Sequence, residues 1–149
     1  MPANFQPVFA LTPNLGGGAA TAANTVGDGA GTIGTDIFKI FTAGAFGAWL
    51  NRVRFQAAAS VAATATTATV ARVFISSVAT GLTTNANTFL VLEVALASVT
   101  ADHSTAATDF VERQLNMAIP AGYTVLITNH VAPAVNTRWH ATLPGSGDY

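Results

Sequence analysis

Several groups of residues in this chain are of types that carry chemistry. Gly29-Ala30-Gly31-Thr32-Ile33-Gly34 matches G-x-G-x-x-G, a spacing that lets backbone amides approach a pyrophosphate. That use needs a strand before the glycines and a helix N-terminus after them. Here a Gly-rich run precedes and a strand pattern follows, so the match reads as a flexible linker. Asp28 and Asp36 flank the same glycines. A calcium loop wants acidic ligands at alternate positions and a closing Glu. An Asx turn at Asp28 and a strand-start role for Asp36 are the stronger readings, with a cation trapped between subunits left open. His103, His130 and His140 are the histidines, and no two have the close spacing of a zinc motif. Nucleophilic catalysis needs a hydroxyl, a base and an orienting carboxylate, and no G-x-S-x-G elbow is present. A carboxylate pair for glycoside cleavage would draw on Glu93, Glu112, Asp102 or Asp109. Glu93 and Glu112 fall mid-strand among apolar neighbours, where an ion pair with Arg72 or Arg113 is the more economical use. The residues argue against an enzyme and call for no cofactor and no metal.

Among the aromatics, Trp49, Phe41, Phe46 and Trp139 could form a platform for a sugar or a base, although such side chains more often fill cores. Trp139 reads as core. Phe46 stands in a loop, and both readings stay open for it.

The elements that carry these residues repeat one grammar. In Asp36 to Ala57, Trp49, Asn51, Val53 and Phe55 alternate with Leu50, Arg52, Arg54 and Gln56, a period of two that belongs to a strand. Before them, Asp36 to Phe41 sets Phe38 and Ile40 against Ile37, Lys39 and Phe41. Gly44 and Gly47 lie between, where a hairpin needs positive φ. Both faces of the first strand are partly apolar, so it should be covered on both sides. We expect Ile37 or Phe41 to be buried only within an assembly. Further strands are expected over Thr69–Ser76, Thr88–Ala97, Asp109–Ile119, Tyr123–His130 and Val135–Leu143. Ala57 to Thr67 reads as loop or edge strand, and Pro120-Ala121-Gly122 as a turn. The end, Pro144 to Tyr149, reads as a frayed tail. The fold class is all-β: a jelly-roll-like antiparallel β-sandwich of about seven or eight strands.

Residues 1–34 differ from the sandwich domain, 35–149. Pro2, Pro7, Pro13, Gly16-Gly17-Gly18 and the later glycines discourage helix and long strand. Phe5, Val8, Phe9, Leu11 and Leu15 punctuate the run and are not the composition of a disordered tail. This is an extended arm whose apolar side chains dock onto something, with Val8 to Leu11 available as a short edge strand.

At 149 residues the chain has the length of one domain and half of it is hydrophobic, enough for a core. Only 9% of residues are charged, against about 25% in an ordinary soluble domain. With a net charge of −1, little repulsion keeps copies apart, which points to a component of a larger assembly. The near-neutral balance and the scattered Lys39, Arg52, Arg54, Arg72, Arg113 and Arg138 argue against nucleic acid. Cysteine is absent, so the redox compartment is undetermined. The uncharged runs are broken by Ser, Thr, Gly and Asn, and none reads as a membrane span. The start lacks the pattern of a secretory signal.

Phe9-Ala10-Leu11-Thr12-Pro13-Asn14-Leu15-Gly16, Thr21 to Thr25, Asp28 to Thr32, Phe41 to Ala45 and Leu50 to Ala57 together resemble small structural proteins of tailed bacteriophages and prophages. Arg72 to Ile75, Leu92 to Val94 and Ile119 to Tyr123 extend the resemblance, which covers most of the chain as short islands. It implies a head decoration (cement) protein: a homotrimer on the capsid exterior, assembled in the bacterial cytoplasm, its arm gripping the major capsid protein. Phe5, Phe9, Leu11 and Leu15 would be the arm's anchors, and Ile37 and Phe41 further contacts to capsid or subunit. The alternative is a carbohydrate- or receptor-binding module of a tail fibre, using loop aromatics such as Phe46. A weaker third reading is a bacterial enzyme using Glu93 or Glu112.

Overall fold

The computed structural model describes residues 12–105 and 110–149. Phe5, Phe9, Leu11, Asp109 and the expected strand at Val8 to Leu11 lie outside them. The described chain is all-β, built from β1 (Thr12–Pro13), β2 (Gly17–Ala19), β3 (Gly31–Thr32), β4 (Phe38–Thr42), β5 (Ala48–Ala59), β6 (Thr64–Ala65) and β7 (Thr69–Ser76). The second half adds β8 (Leu82–Thr83), β9 (Thr88–Leu96), β10 (Thr100–Ala101), β11 (Phe110–Ile119), β12 (Thr124–Asn129), β13 (Thr137–Thr142) and β14 (Gly147–Asp148). Each stretch with a period of two forms one of the longer strands. All the strand pairings are antiparallel.

Two curled sheets face each other in a sandwich-like arrangement. One runs β4-β12-β7-β9. The other is organised on β5, flanked on one side by β11 and on the other by β13 and then β14, with β2 and β1 outside them. Between the sheets lies one core, with Leu50, Val53 and Phe55 of β5, Trp139 and Ala141 of β13, Val73 of β7, Val94 and Leu96 of β9, and Val125 and Ile127 of β12. Each large apolar side chain fully removed from water contributes about 1.5–3 kcal/mol.

Alternation identified the strands but not their partners. Phe38 to Phe55 reads as a hairpin, yet β4 pairs only with β12, and β5 with β11, β13 and β14. The connection is an arch from one sheet to the other. Gly47 makes its bend at φ 90°, and a Cβ there would stand 2.6 Å from the Ile119 carbonyl oxygen. Irregularities also move side chains across faces. In β4 the register against β12 shifts between Val125 and Leu126, so Ile40 and Phe41 both enter the main core while Ile37 stays on the opposite face. In β5, Ala48 and Leu50 join Val53 and Phe55 in the core. The change of face falls where β11 carries an irregularity between Gln114 and Met117, with Asn116 at φ 46°. A bulge inserts a residue and reverses every side chain beyond it.

The expectation for Ile37 and Phe41 is corrected. Ile37 is fully buried and Phe41 is 4% exposed within the single chain. Ile37 packs with Phe74 and Leu126 in a small second core, with Ile33 against it. The cover is the chain's own Gly-rich segment, so these two residues give no ground for a subunit contact.

That segment is no free linker. Asn24 is 4% exposed; its amide donates to the Asn129 carbonyl (2.8 Å) and its side chain donates to the Ala30 carbonyl (3.1 Å). From there the chain passes over the outer face of the β4-β12-β7-β9 sheet to pair β3 with β8. Gly29, at φ 85°, approaches so closely that a Cβ would stand 2.9 Å from Thr88 and 3.2 Å from Phe74. Within residues 12–19, also part of the expected arm, β1 and β2 run along the edge of the sheet organised on β5. The C-terminal end is equally tied down. β14 pairs with β5 and β1, and the Asp148 carboxylate accepts from the Gly44 amide (2.8 Å) and the Asn14 side chain (2.9 Å).

Candidate functional site

A recess of about 300 Å³ opens at the end of β5, lined by Gln56, Ala57, Ala58, Ala59, Asp102 and His140. Three elements build it. β5 and β13 run side by side with His140 opposite Gln56 and Arg138 opposite Ala58, and residues paired in this way share a face of the sheet. The short β6–β10 ribbon stands beside them and presents Asp102. That carboxylate is held by the backbone: one oxygen accepts from the Ser104 amide (2.8 Å) and hydroxyl (2.7 Å), the other from the Ala63 amide (3.1 Å). These bonds, those of Ser104 foremost, hold its pKa below the ordinary value, because donors favour the charged form. The pKa of His140 is also pushed down, first by partial burial and then by the charge of Arg138, both of which disfavour the charged imidazolium.

Next to the recess lies an ionic cluster on the same outward face. Phe110, Glu112 and Gln114 of β11 sit opposite Gln56, Arg54 and Arg52. Glu112 accepts from Arg52 (3.0 Å) and Arg54 (2.9 Å), and these arginines, Arg54 first, lower its pKa. The Arg54 guanidinium stands 4.5 Å from the centre of the Phe110 ring, a cation–π distance.

The residues singled out by type are dispersed. Glu93 pairs with Arg72 at 2.7 Å, as the economical reading had it. Glu112 instead takes Arg52 and Arg54, while Arg113 donates to the Glu112 carbonyl (2.8 Å). Asp28 accepts from the Ala30 amide (3.0 Å) in the expected Asx turn, and Asp36 accepts from the Thr32 amide (2.6 Å). The glycine motif runs into the two-residue strand β3, with no helix after it. Among the described residues no three His, Asp or Glu side chains gather as a metal site, and no helix is long and apolar enough to cross a membrane. Trp139 is core, 3% exposed, and donates its indole N–H to the Thr67 carbonyl (3.4 Å). Phe46 is 82% exposed in the arch between the sheets, and Leu15 is 77% exposed between β1 and β2.

Sequence reading missed the recess. Gln56, Asp102 and His140 are remote in the chain, and no local spacing links them. The alanines below them carry no chemical signal. A second feature also emerges only in three dimensions. Among the described residues, β9 and β11 each pair on one side alone, with β7 and β5. Along these open edges Phe89 and Leu90 are exposed, and Val91, Leu92, Val111, Leu115 and Met117 are part-buried against the core.

Comparison with protein-family models, with curated proteins and with solved structures finds no match.

Proposed function

We propose that this chain is a capsid decoration (cement) protein of a tailed bacteriophage. It would sit as a homotrimer on the outside of the head and bind the major capsid protein. The observation that carries the reading is the pairing of very low charge with exposed large apolar side chains. Leu15, Phe46, Leu82, Phe89, Leu90 and Val135 all stand in solvent on one chain that has only six basic and seven acidic residues. Such a surface is costly for a free monomer and is stabilised when another chain covers it. The strand order supports the finer fold reading. Taking β1 with β2, and β13 with β14, as interrupted single strands, the order is β4-β12-β7-β9 against β2-β13-β5-β11. That order is the one a rolled-up double Greek key, a jelly roll, would have.

The mechanism is mechanical rather than chemical. A protein that binds the assembled lattice and not its free subunits stabilises the lattice by linkage, with apolar burial at about 25 cal/mol per Å² as the source. Phe5, Phe9, Leu11 and Leu15 remain the proposed anchors. Ile37 and Phe41 are withdrawn, because the chain itself covers them.

The test is co-sedimentation with assembled heads stripped of accessory proteins. Full-length protein should pellet with the heads. A variant lacking residues 1–11 should keep its circular dichroism and melting curve yet stay in the supernatant. The cut stops at residue 11 because Thr12 pairs with Asp148. Equal binding by both would end the arm's role, and failure of the full-length protein to bind heads would overturn the reading.

A further inference from the structure

We propose that the open seam between β9 and β11 receives the N-terminal arm of a second copy of this chain, with Phe5 to Leu11 laid along it as an added strand. The inference rests on the homotrimer of the proposed function and refines it. Phe5, Phe9 and Leu11 would anchor in the neighbouring subunit, and serve attachment to the head by holding the trimer together.

The two sheets meet differently on their two sides. On one side β2 lies on β4. A Cβ on Gly18 would stand 3.0 Å from Ile40, and one on Gly16, just before β2, 2.9 Å from Phe41, so bare backbone closes that seam. The remaining edges, β9 and β11, then face each other on the far side. There the core is not sealed. Phe89 is paired with Ile75, and paired residues share a face of the sheet. Ile75 is a core residue, 7% exposed, yet Phe89 is 52% exposed. Leu92, opposite Val73, turns the same way, as do Val111 and Met117, opposite Phe55 and Leu50. With Val91 and Leu115 they pack on the core but stay part-buried. Arg113, opposite Val53, is the charged side chain on this face of β11; it is exposed and donates to the Glu112 carbonyl.

An apolar strand fits such a seam. In Phe5-Gln6-Pro7-Val8-Phe9-Ala10-Leu11 the odd positions are Phe, Pro, Phe and Leu, one apolar face at the strand period. The segment has no charged side chain to desolvate or to set against Arg113. A strand added to a sheet edge gains backbone hydrogen bonds while alternate side chains fill the apolar surface beneath. Pro7 lacks an N–H, which is tolerated in an outermost strand.

Chain geometry makes the donor a second copy. Thr12 pairs with Asp148, Asp148 with Ala48, and Ala48 with Ile119, so β1 stands three strand spacings, about 14 Å, from β11. Leu11 is bonded to Thr12, and Phe9 reaches at most about 11 Å from it. Neither can lie along its own seam. An arm leaving one side of the molecule and a seam open on the other make a head-to-tail contact, which closes as a ring.

The experiment uses the free full-length protein. Native mass spectrometry should find a trimer, and Phe9→Asp, a change outside the described residues, should give a folded monomer at the same concentration. A photo-crosslinking benzoylphenylalanine in place of Phe9 then locates the arm. In a mixture of isotope-labelled and unlabelled chains refolded together, it should link to Thr88–Leu96 or Phe110–Ile119 of another copy, seen as mixed-isotope peptide pairs. A monomeric parent, a trimer that survives Phe9→Asp, or the lack of crosslinks between copies at these two strands would each overturn the proposal. If Phe9→Asp unfolds, the crosslink decides, since benzoylphenylalanine keeps the aromatic ring. Heads take no part in these measurements, so a trimer joined in this way that fails to bind heads would overturn the capsid reading alone.

Discussion

The outer face of β5 carries an ionic cluster whose worth depends on pH in a definite direction. Arg54 and Arg52 lower the pKa of Glu112. A carboxylate whose folded-state pKa is depressed contributes stability that is present above its unfolded pKa and is lost as pH falls through the folded one. Glu112→Gln should therefore be less stable than the parent at neutral pH. The difference should close once the pH drops below the carboxylate range, as measured by denaturant unfolding at both pH values. Because the arginine side chains are 37% exposed, the gap should be small and should shrink with added salt. A core position behaves differently. Phe55, 1% exposed, lies between the sheets, and Phe55→Ala should cost about 3–5 kcal/mol at any pH through lost burial and the cavity left behind.

At the scale of elements, the strap from Asn24 to Ile37 is the part that most departs from its composition. It holds by Asn24 at one end, by Ile33 and Ile37 on Phe74 and Leu126 at the other, and by β3 on β8 between them. Gly29→Ala would place a Cβ against Thr88 and Phe74 at a φ of 85°. A left-handed backbone at a residue other than glycine costs about 1–3 kcal/mol, to which the contact adds. The variant should lose protection from hydrogen exchange first at the Ile33 amide, which donates to the Gly81 carbonyl, while the β12 amides stay protected. Simultaneous loss across both regions would show that the strap is not a separable layer. β12 explains why the strap is needed. All six of its residues are buried, so the sheet has an apolar outer face that water would otherwise reach.

For the whole molecule, the open edges of β9 and β11 are the surface on which self-association should be sought. Long unpaired edges with exposed apolar side chains invite pairing. Native mass spectrometry should find a trimer. Replacing Phe89 and Leu90 together by lysine should yield a folded monomer, since neither side chain is in the core. A monomeric parent protein would remove the trimer from the proposed function. If the double variant stays trimeric, the contact must lie elsewhere, for instance near Leu15.

The strands were legible because a half-buried strand must alternate. Thr69–Ser76, Tyr123–His130 and Val135–Leu143 announce themselves by period alone, and so does the Pro120-Ala121-Gly122 turn, where Tyr123 donates to Pro120 (3.2 Å) and Gly122 adopts φ 75°. The Asx turn at Asp28 and the burial of Trp139 were legible for the same reason: each rests on the local chemistry of one residue type. What the sequence determined by itself was therefore the all-β class, the longer strands and a composition poor in charge. Pairing was decided only in three dimensions, because alternation is the same whether a strand's neighbour is next in the chain or a hundred residues away. Bulges reassigned Leu50 and Phe41, since one inserted residue is invisible to a period of two. The recess around Asp102 and His140 was decided at the same level. It depends on β5, β13 and β10 meeting at one end of a sheet, and no spacing along the chain encodes that meeting.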